Sequence, residues 1–467
     1  MSALLEIEEL RVTADGVTLL ESLSLNLQAG ERLTIVGETG AGKSLLMQAI
    51  MGLLPAPLQS HGRVRVDGVD LASLSRSARE RLWGKRIGML PQEPWHALDP
   101  LMRNQQQVAE VHECVAGMTA KQANQKAAQA LADVGLEGAA EQLPGQLSGG
   151  MAQRLAFCAA TAGGTQLLLV DEPTKGLDAS RRDQLTGLLD AHGERAALLT
   201  ITHDVEVARQ LGGTVMVMRA GRLVERGAAA QVLGAPTADY TRELIAADPR
   251  HWPVRPQRTM TTDSVLEARG LAKRRGGKLL FEGLDLTICA GEIIGIAGDS
   301  GCGKSSLGDI LLRLLRPDSG EVTRQPGIAA HRYLKLYQDP PAAFAPGVSL
   351  RRLFDDVIGL HRLDPARLPR LLDQLQLRPG LLERTAAEVS GGELQRLAIA
   401  RALLLDPVLL FADEPVSRLD PITAREVIAL LTEAATERDC ALLLVSHDAQ
   451  MLARTCDRQL LLGDRNA

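Results

Sequence analysis

The chain has 467 residues, 45% of them hydrophobic and 23% charged, with a formal net charge of −5. That length exceeds what one hydrophobic core usually serves, so two or more domains of ordinary soluble, globular composition are expected. No basic tract offers nucleic acid a footprint, no apolar run approaches the roughly eighteen residues of a membrane helix, and "MSALLEIEEL" lacks the pattern of a secretory signal. A cytoplasmic location follows as an expectation, with any membrane role exercised through a partner. Six cysteines stand singly, without metal-ligand spacing, and read as reduced thiols.

In chain order, "RLTIVGETGAGKSLLMQAIMG" is an apolar β-prone run, a glycine-rich turn and a helical pattern carrying Leu45, Leu46, Ile50 and Met51. A strand, loop and helix in that order can cradle phosphate: glycines let backbone N–H groups converge, and the helix start adds positive potential. The loop comprises Gly37, Glu38, Thr39, Gly40, Ala41, Gly42, Lys43 and Ser44. Lys43 is placed to reach terminal phosphates and Ser44 to hold magnesium. Gln92, between an apolar strand and an acidic-proline turn, can touch magnesium or water. A helical insert is expected near residues 100–146, followed by Ser148, Gly149 and Gly150 at another helix start. Serine there is an ordinary cap, but paired glycines suit an anion pressed against backbone N–H groups. The strand "QLLLVDE" ends in Asp171, a candidate for the magnesium shell, and Glu172, a candidate to orient and deprotonate water. Asp178 follows in "GLD", and His203 ends the next apolar strand as a candidate contact to a terminal phosphate.

The same series then recurs. The second phosphate loop is Gly298, Asp299, Ser300, Gly301, Cys302, Gly303, Lys304 and Ser305, after which come Gln338, a helical insert near residues 345–388, then Ser390, Gly391 and Gly392. Asp413, Glu414, Asp420 and His447 complete it. Asp171 lies 23 residues after Ser148, and Asp413 lies 23 after Ser390. Order and spacing held over so many motifs mean two fused domains. Their bounds are expected at 1–248, which includes a short trailing helix, and 264–467, with a linker over 249–263 rich in proline, threonine and charge.

This ordered series resembles the ATP-binding cassette family over nearly the whole chain, in two copies. The resemblance implies an α/β fold: two P-loop NTPase cassettes in tandem, each with a RecA-like parallel-sheet core, an antiparallel β subdomain and an α-helical signature subdomain. It implies ATP and Mg2+ as cofactors and ATP hydrolysis as the activity. In that family cassettes pair head to tail, so Ser390 and Gly392 would close over ATP at Lys43, and Ser148 and Gly150 over ATP at Lys304. Asp178 and Asp420 match the loop beside the opposite phosphates.

"LPQEPWHALDP", "PTADYTRELIAA" and "LYQDPPAAFAP" are most similar to the ATPase subunits of bacterial peptide and nickel importers, here fused. Permease partners, two in number, and an extracytoplasmic substrate-binding protein would follow, with the chain on the cytoplasmic face of the inner membrane. The sequence departs from the family in several places. Where an aromatic commonly stacks on adenine it offers Ala14 and Asp15, or Arg274 and Arg275. Lys175 replaces a small residue, "TAGGTQ" replaces a proline turn, and no cysteine cluster follows "TADYT", so no iron–sulfur cluster is expected. Two rivals are an accessory ATPase of a soluble complex, such as one for phosphonate breakdown, and a twin cassette acting on ribosomes or DNA. The latter typically carries a long charged linker and an asparagine-histidine before its final Leu-Asp, neither of which is found here.

Overall fold

In the computed structural model, residues 3–174, 176–256, 263–299, 301–417 and 419–463 are described. They form two compact units, Met1–Ile245 and Ala246–Ala467. In the first, the strands Leu5–Ala14, Val17–Leu27, Gln59–Val66 and Val69–Asp70 make an antiparallel sheet. A second sheet runs Arg222–Ala228, Thr214–Arg219, Arg32–Val36, Ala197–Thr202, Leu167–Asp171, Ile87–Leu90, parallel except for its first strand.

Continuous apolar runs such as "TQLLLV" are what a sheet covered on both faces requires. Along Leu167–Asp171, Leu167 and Leu169 join the core that holds the phosphate-loop helix Lys43–Met51. Leu168 and Val170 turn to the opposite core, with the helices Asn104–Cys114, Ala120–Asp133 and Gly149–Thr161. The period of two thus sends alternate residues of one strand to two layers. The "TAGGTQ" turn has a steric reason as well: a Cβ on Gly163 would lie 2.0 Å from the Gly84 carbonyl oxygen.

The second unit repeats the plan. Ser264–Arg275, Lys278–Cys289 and Ser319–Arg324 form its antiparallel sheet. Tyr333–Leu336, Leu409–Asp413, Ala441–Val445, Ile293–Ala297 and Arg458–Leu461 form its parallel one. Leu409 and Phe411 face the phosphate-loop side, while Leu410 and Ala412 face the helical layer of Leu350–His361, Arg367–Gln374 and Gly391–Leu404.

The segment between the units differs from the linker expected over 249–263. The trailing helix Asp239–Ala246 closes the first unit, and the chain then packs at once onto the second. Trp252 is buried in the second unit's core, its indole N–H donating to the Ala247 carbonyl at 2.9 Å. Arg255 donates to Asp457 at 3.1 Å and to Thr436 at 3.0 Å. A polar composition hid one aromatic anchor and one arginine with a buried carboxylate; residues 257–262 lie outside those described. Truncating Trp252 to alanine should therefore destabilise the second unit by about 3 kcal/mol, the usual cost of removing a large buried ring. Urea unfolding checks this, and a loss well under 1 kcal/mol would mean that the segment is not part of the core.

Candidate nucleotide sites

Each phosphate loop is wedged between strand ends. A Cβ on Gly37 would stand 2.2 Å from the Met218 carbonyl oxygen, and one on Gly298 would stand 2.3 Å from that of Leu462. Only glycine fits this close approach. Lys43 folds back over its loop, donating to the carbonyls of Gly37 at 2.7 Å and Glu38 at 2.9 Å. Lys304 does the same with Gly298 at 2.7 Å and Asp299 at 3.1 Å. Thr39, Ser44 and Ser305 are exposed at the loops, whereas Ala41 and Cys302 are buried and serve packing. Ser300 and Lys175 lie outside the described residues.

Each acidic pair sits at the carboxyl end of a strand in its own unit's parallel sheet, Leu167–Asp171 or Leu409–Asp413. Glu172 and Glu414 both adopt left-handed backbone, with φ of 46° and 48°. That conformation is costly for a side chain with a Cβ and concentrates at functional turns. The turns are pinned by N–H bonds, Glu172 to the Ile201 carbonyl at 2.8 Å and Glu414 to that of Val445 at 3.2 Å. His203 Nδ1 lies 2.7 Å from Glu172 Oε2, and Lys43 Nζ lies 3.8 Å from Oε1. His447 Nε2 lies 2.5 Å from Glu414 Oε1. Burial acts to raise the Glu172 pKa, but His203 and Lys43 outweigh it and leave it lowered. Burial likewise acts to lower the His203 pKa, and Glu172 overrides it, leaving it raised. Glu172 and His203 thus each favour the charged form of the other at the strand ends.

The signature serines act as helix caps within their own units. Ser148 accepts from the Met151 N–H at 3.4 Å. Ser390 forms a full capping box, donating to Glu393 at 2.7 Å and accepting from its N–H at 3.4 Å. Both serines are exposed, as are Gly149 and Gly391. Gly150 is small because a Cβ would meet the Arg181 side chain at 2.9 Å, and at Gly392 a Cβ would meet Thr423 at 3.3 Å. Asp178 and Asp420 also cap helices, accepting from Arg181 N at 2.9 Å and Thr423 N at 3.1 Å.

The two sites are not alike. Gln338 donates to Glu414 Oε2 at 2.8 Å, a bond that Gln92 does not make to Glu172 among the described residues. Lys335, in the strand Tyr333–Leu336, lies 3.4 Å from Asp413 Oδ2 and 2.8 Å from Asp309 Oδ1. Sequence reasoning passed over it, although a lysine inside "YLKLYQ" with an aspartate inside "GDILL" was a readable signal. It also missed Tyr240. This residue of the trailing helix accepts a hydrogen bond from the Glu38 N–H at 3.0 Å, while Arg219 stacks 4.7 Å above its ring. At the expected adenine positions, Asp15 forms the turn after the first strand with φ 48°, and Arg274 and Arg275 are exposed.

The model of the ABC transporter family matches residues 20–175 and 281–417. Over 477 residues the chain is 33% identical to the uncharacterized ABC transporter ATP-binding protein YejF of Escherichia coli, covering 95% of this chain and 90% of that protein. It is 31% identical to the glutathione import ATP-binding protein GsiA of Salmonella typhi, covering 95% and 81%. Among solved structures, the RNase-L inhibitor superposes with a TM-score of 0.66 over 98% of this chain and 88% of that one. At 22% identity it supports the twin-cassette fold alone. No helix of the described residues is long and apolar enough to cross a membrane. With paired phosphate loops, paired strand-end glutamates and relatives matched over almost their full length, the chain belongs to the ABC transporter family as a twin-cassette ATPase of the peptide-importer type.

Proposed function

We propose that this ATPase drives import of a peptide-class substrate through membrane permease subunits, by closing two composite ATP sites formed head to tail between its cassettes. The observation that carries the reading is the duplicated phosphate loop and strand-end glutamate, intact in both units, in a chain alignable throughout with a glutathione import ATPase. Glutathione is a small peptide, which places the proposed load in the same chemical class; nickel, the other substrate of the group that the motifs resemble, is an outcome for the transport assay. A substrate-binding protein would select the load, and the chain would sit at the inner face of the membrane.

The residues fit a magnesium nucleotide. The phosphate loops admit only glycine at Gly37 and Gly298, Ser44 and Ser305 are exposed on them, and Asp171 and Asp413 end strands of the same sheets. Magnesium held by these groups, with Gln92 and Gln338 able to approach it, would neutralise charge on the terminal phosphates. Lys43 and Lys304 would release the loop carbonyls they now bind and turn to phosphate. Glu172, ionised and held by His203, would accept a proton from water aligned with the bond to the last phosphoryl group, and Glu414 with His447 would do the same. Ser148 and Gly150, and Ser390 and Gly392, would each offer helix-start N–H groups to ATP held by the other cassette.

Replacing either Glu172 or Glu414 by glutamine should cut ATP turnover to about half or less, and the double variant should lose about a hundredfold or more. Unchanged turnover in the double variant, in a phosphate-release assay, would sink the assignment. Ser148→Arg should impair hydrolysis at the Lys304 site first; nucleotide trapping with each lysine blocked in turn reads this out, and first damage at the Lys43 site would refute the head-to-tail pairing. The Glu172–His203 pair also predicts a pH window. Stability from His203, whose pKa is raised above 6.5, is full below that value and fades as pH climbs through the raised one. Stability from Glu172, lowered below 4.5, is present above that value and fades as pH falls through the lowered one. The cost of His203→Gln in urea unfolding should accordingly be greatest between about pH 5 and 6.5 and shrink as the pH climbs through the raised His203 value; a cost independent of pH would show the pair to be uncharged.

A further inference from the structure

The two parallel sheets share a register that lets their edge strands be compared residue by residue. In the first unit Met89 pairs with Leu169, two positions before Asp171. In the second, Lys335 pairs with Phe411, two positions before Asp413. Lys335 therefore occupies the place of Met89. Its partner Asp309 stands five residues beyond Lys304, where the first unit has Gln48 five beyond Lys43. A neutral pair, methionine and glutamine, has become a salt-bridged pair, lysine and aspartate, beside one site only.

We propose that Lys335 is a positioning residue that weakens magnesium binding at the second ATP site. The inference rests on the reading of Asp413 as a magnesium-shell carboxylate. The Lys335 ammonium lies 3.4 Å from Asp413 Oδ2, with both side chains no more than 10% exposed. At that depth a fixed positive charge is poorly screened and repels an arriving dication, and it engages the oxygen that the ion would polarise. Asp309, 2.8 Å from the ammonium, offsets the charge in part, but it binds the same ammonium rather than Asp413. A second contact points the same way. Gln338, the other side chain able to approach the ion, donates to Glu414 at 2.8 Å, so two candidate contacts of the second site are held by protein partners.

The test uses the full chain and a fluorescent, non-hydrolysable ATP analogue, with Lys43→Ala blocking the first site so that binding reports the second. Magnesium is titrated, and the concentration giving half-maximal analogue binding is read. In this background, Lys335→Met with Asp309→Gln, the pair the first unit already tolerates, should lower that midpoint about tenfold, within the range by which outer-shell partners tune metal affinity. Binding in excess chelator should not move, which a general structural role would not predict. The reverse graft, Met89→Lys with Gln48→Asp over Lys304→Ala, should raise the midpoint of the first site by a similar factor, and it provides the answer should the first pair misfold. Midpoints unmoved by both pairs, while Asp413→Asn shifts its own, would overturn the proposal and leave the reading of Asp413 standing. A midpoint unmoved by Asp413→Asn would overturn that reading and the proposal with it.

Discussion

A parallel sheet covered on both faces can present chemistry only where its strands end, and the whole arrangement of each unit depends on that constraint. Arg32–Val36, Ala197–Thr202 and Leu167–Asp171 lie side by side in one register, so their carboxyl ends deliver the phosphate loop, His203 and Glu172 to a single edge. Their apolar residues are divided between two cores, which fixes the strands in place while leaving the edge polar. The left-handed turn at Glu172 is the local expression of this. The chain leaves a buried strand, turns against its conformational preference, and is held by the Ile201 carbonyl on the neighbouring strand. Strain at that residue persists because the sheet over-determines it.

The electrostatics follow from the same geometry. Burial at the sheet edge would neutralise an isolated glutamate, raising its pKa, yet His203 and Lys43 stand close enough to reverse the sign. The lysine is shared between loop carbonyls and this carboxylate. The phosphate loop is braced from outside the sheet too: Tyr240 on the trailing helix accepts the Glu38 N–H, and Arg219 bridges the two, stacked on the ring and 3.8 Å from the Glu38 carboxylate.

Much of this was legible in the sequence because glycines, strand-end acids and apolar runs are local signals, and their duplication supplied its own control. Phosphate-loop lysines, glutamates and histidines stand where spacing put them, and the parallel cores follow from unbroken apolar strands. What escaped notice was interaction between distant positions. Trp252 sat in a stretch whose composition read as linker, because one aromatic cannot outweigh prolines, threonines and charges in a local reading. Tyr240 reaches Glu38 across some two hundred residues, and no periodicity marks that contact. Lys335 takes its meaning from Asp309 and Asp413, which the fold brings to it from other elements. The paired glycines of the signature had two readings, and within its own unit each serine is occupied as a cap.

That occupancy bears on how such a site is built. A helix start already capped by its own serine is ordered before any ligand arrives, so a phosphate approaching it would meet a preformed turn. The Glu393 carboxylate works against this in the second unit, because it accepts from both the Ser390 hydroxyl and its N–H and places negative charge at the mouth of the helix. Met151 stands at the equivalent place in the first unit, where the signature helix start carries no such charge. The two cassettes therefore differ in the groups that would face phosphate as well as in those that would face metal.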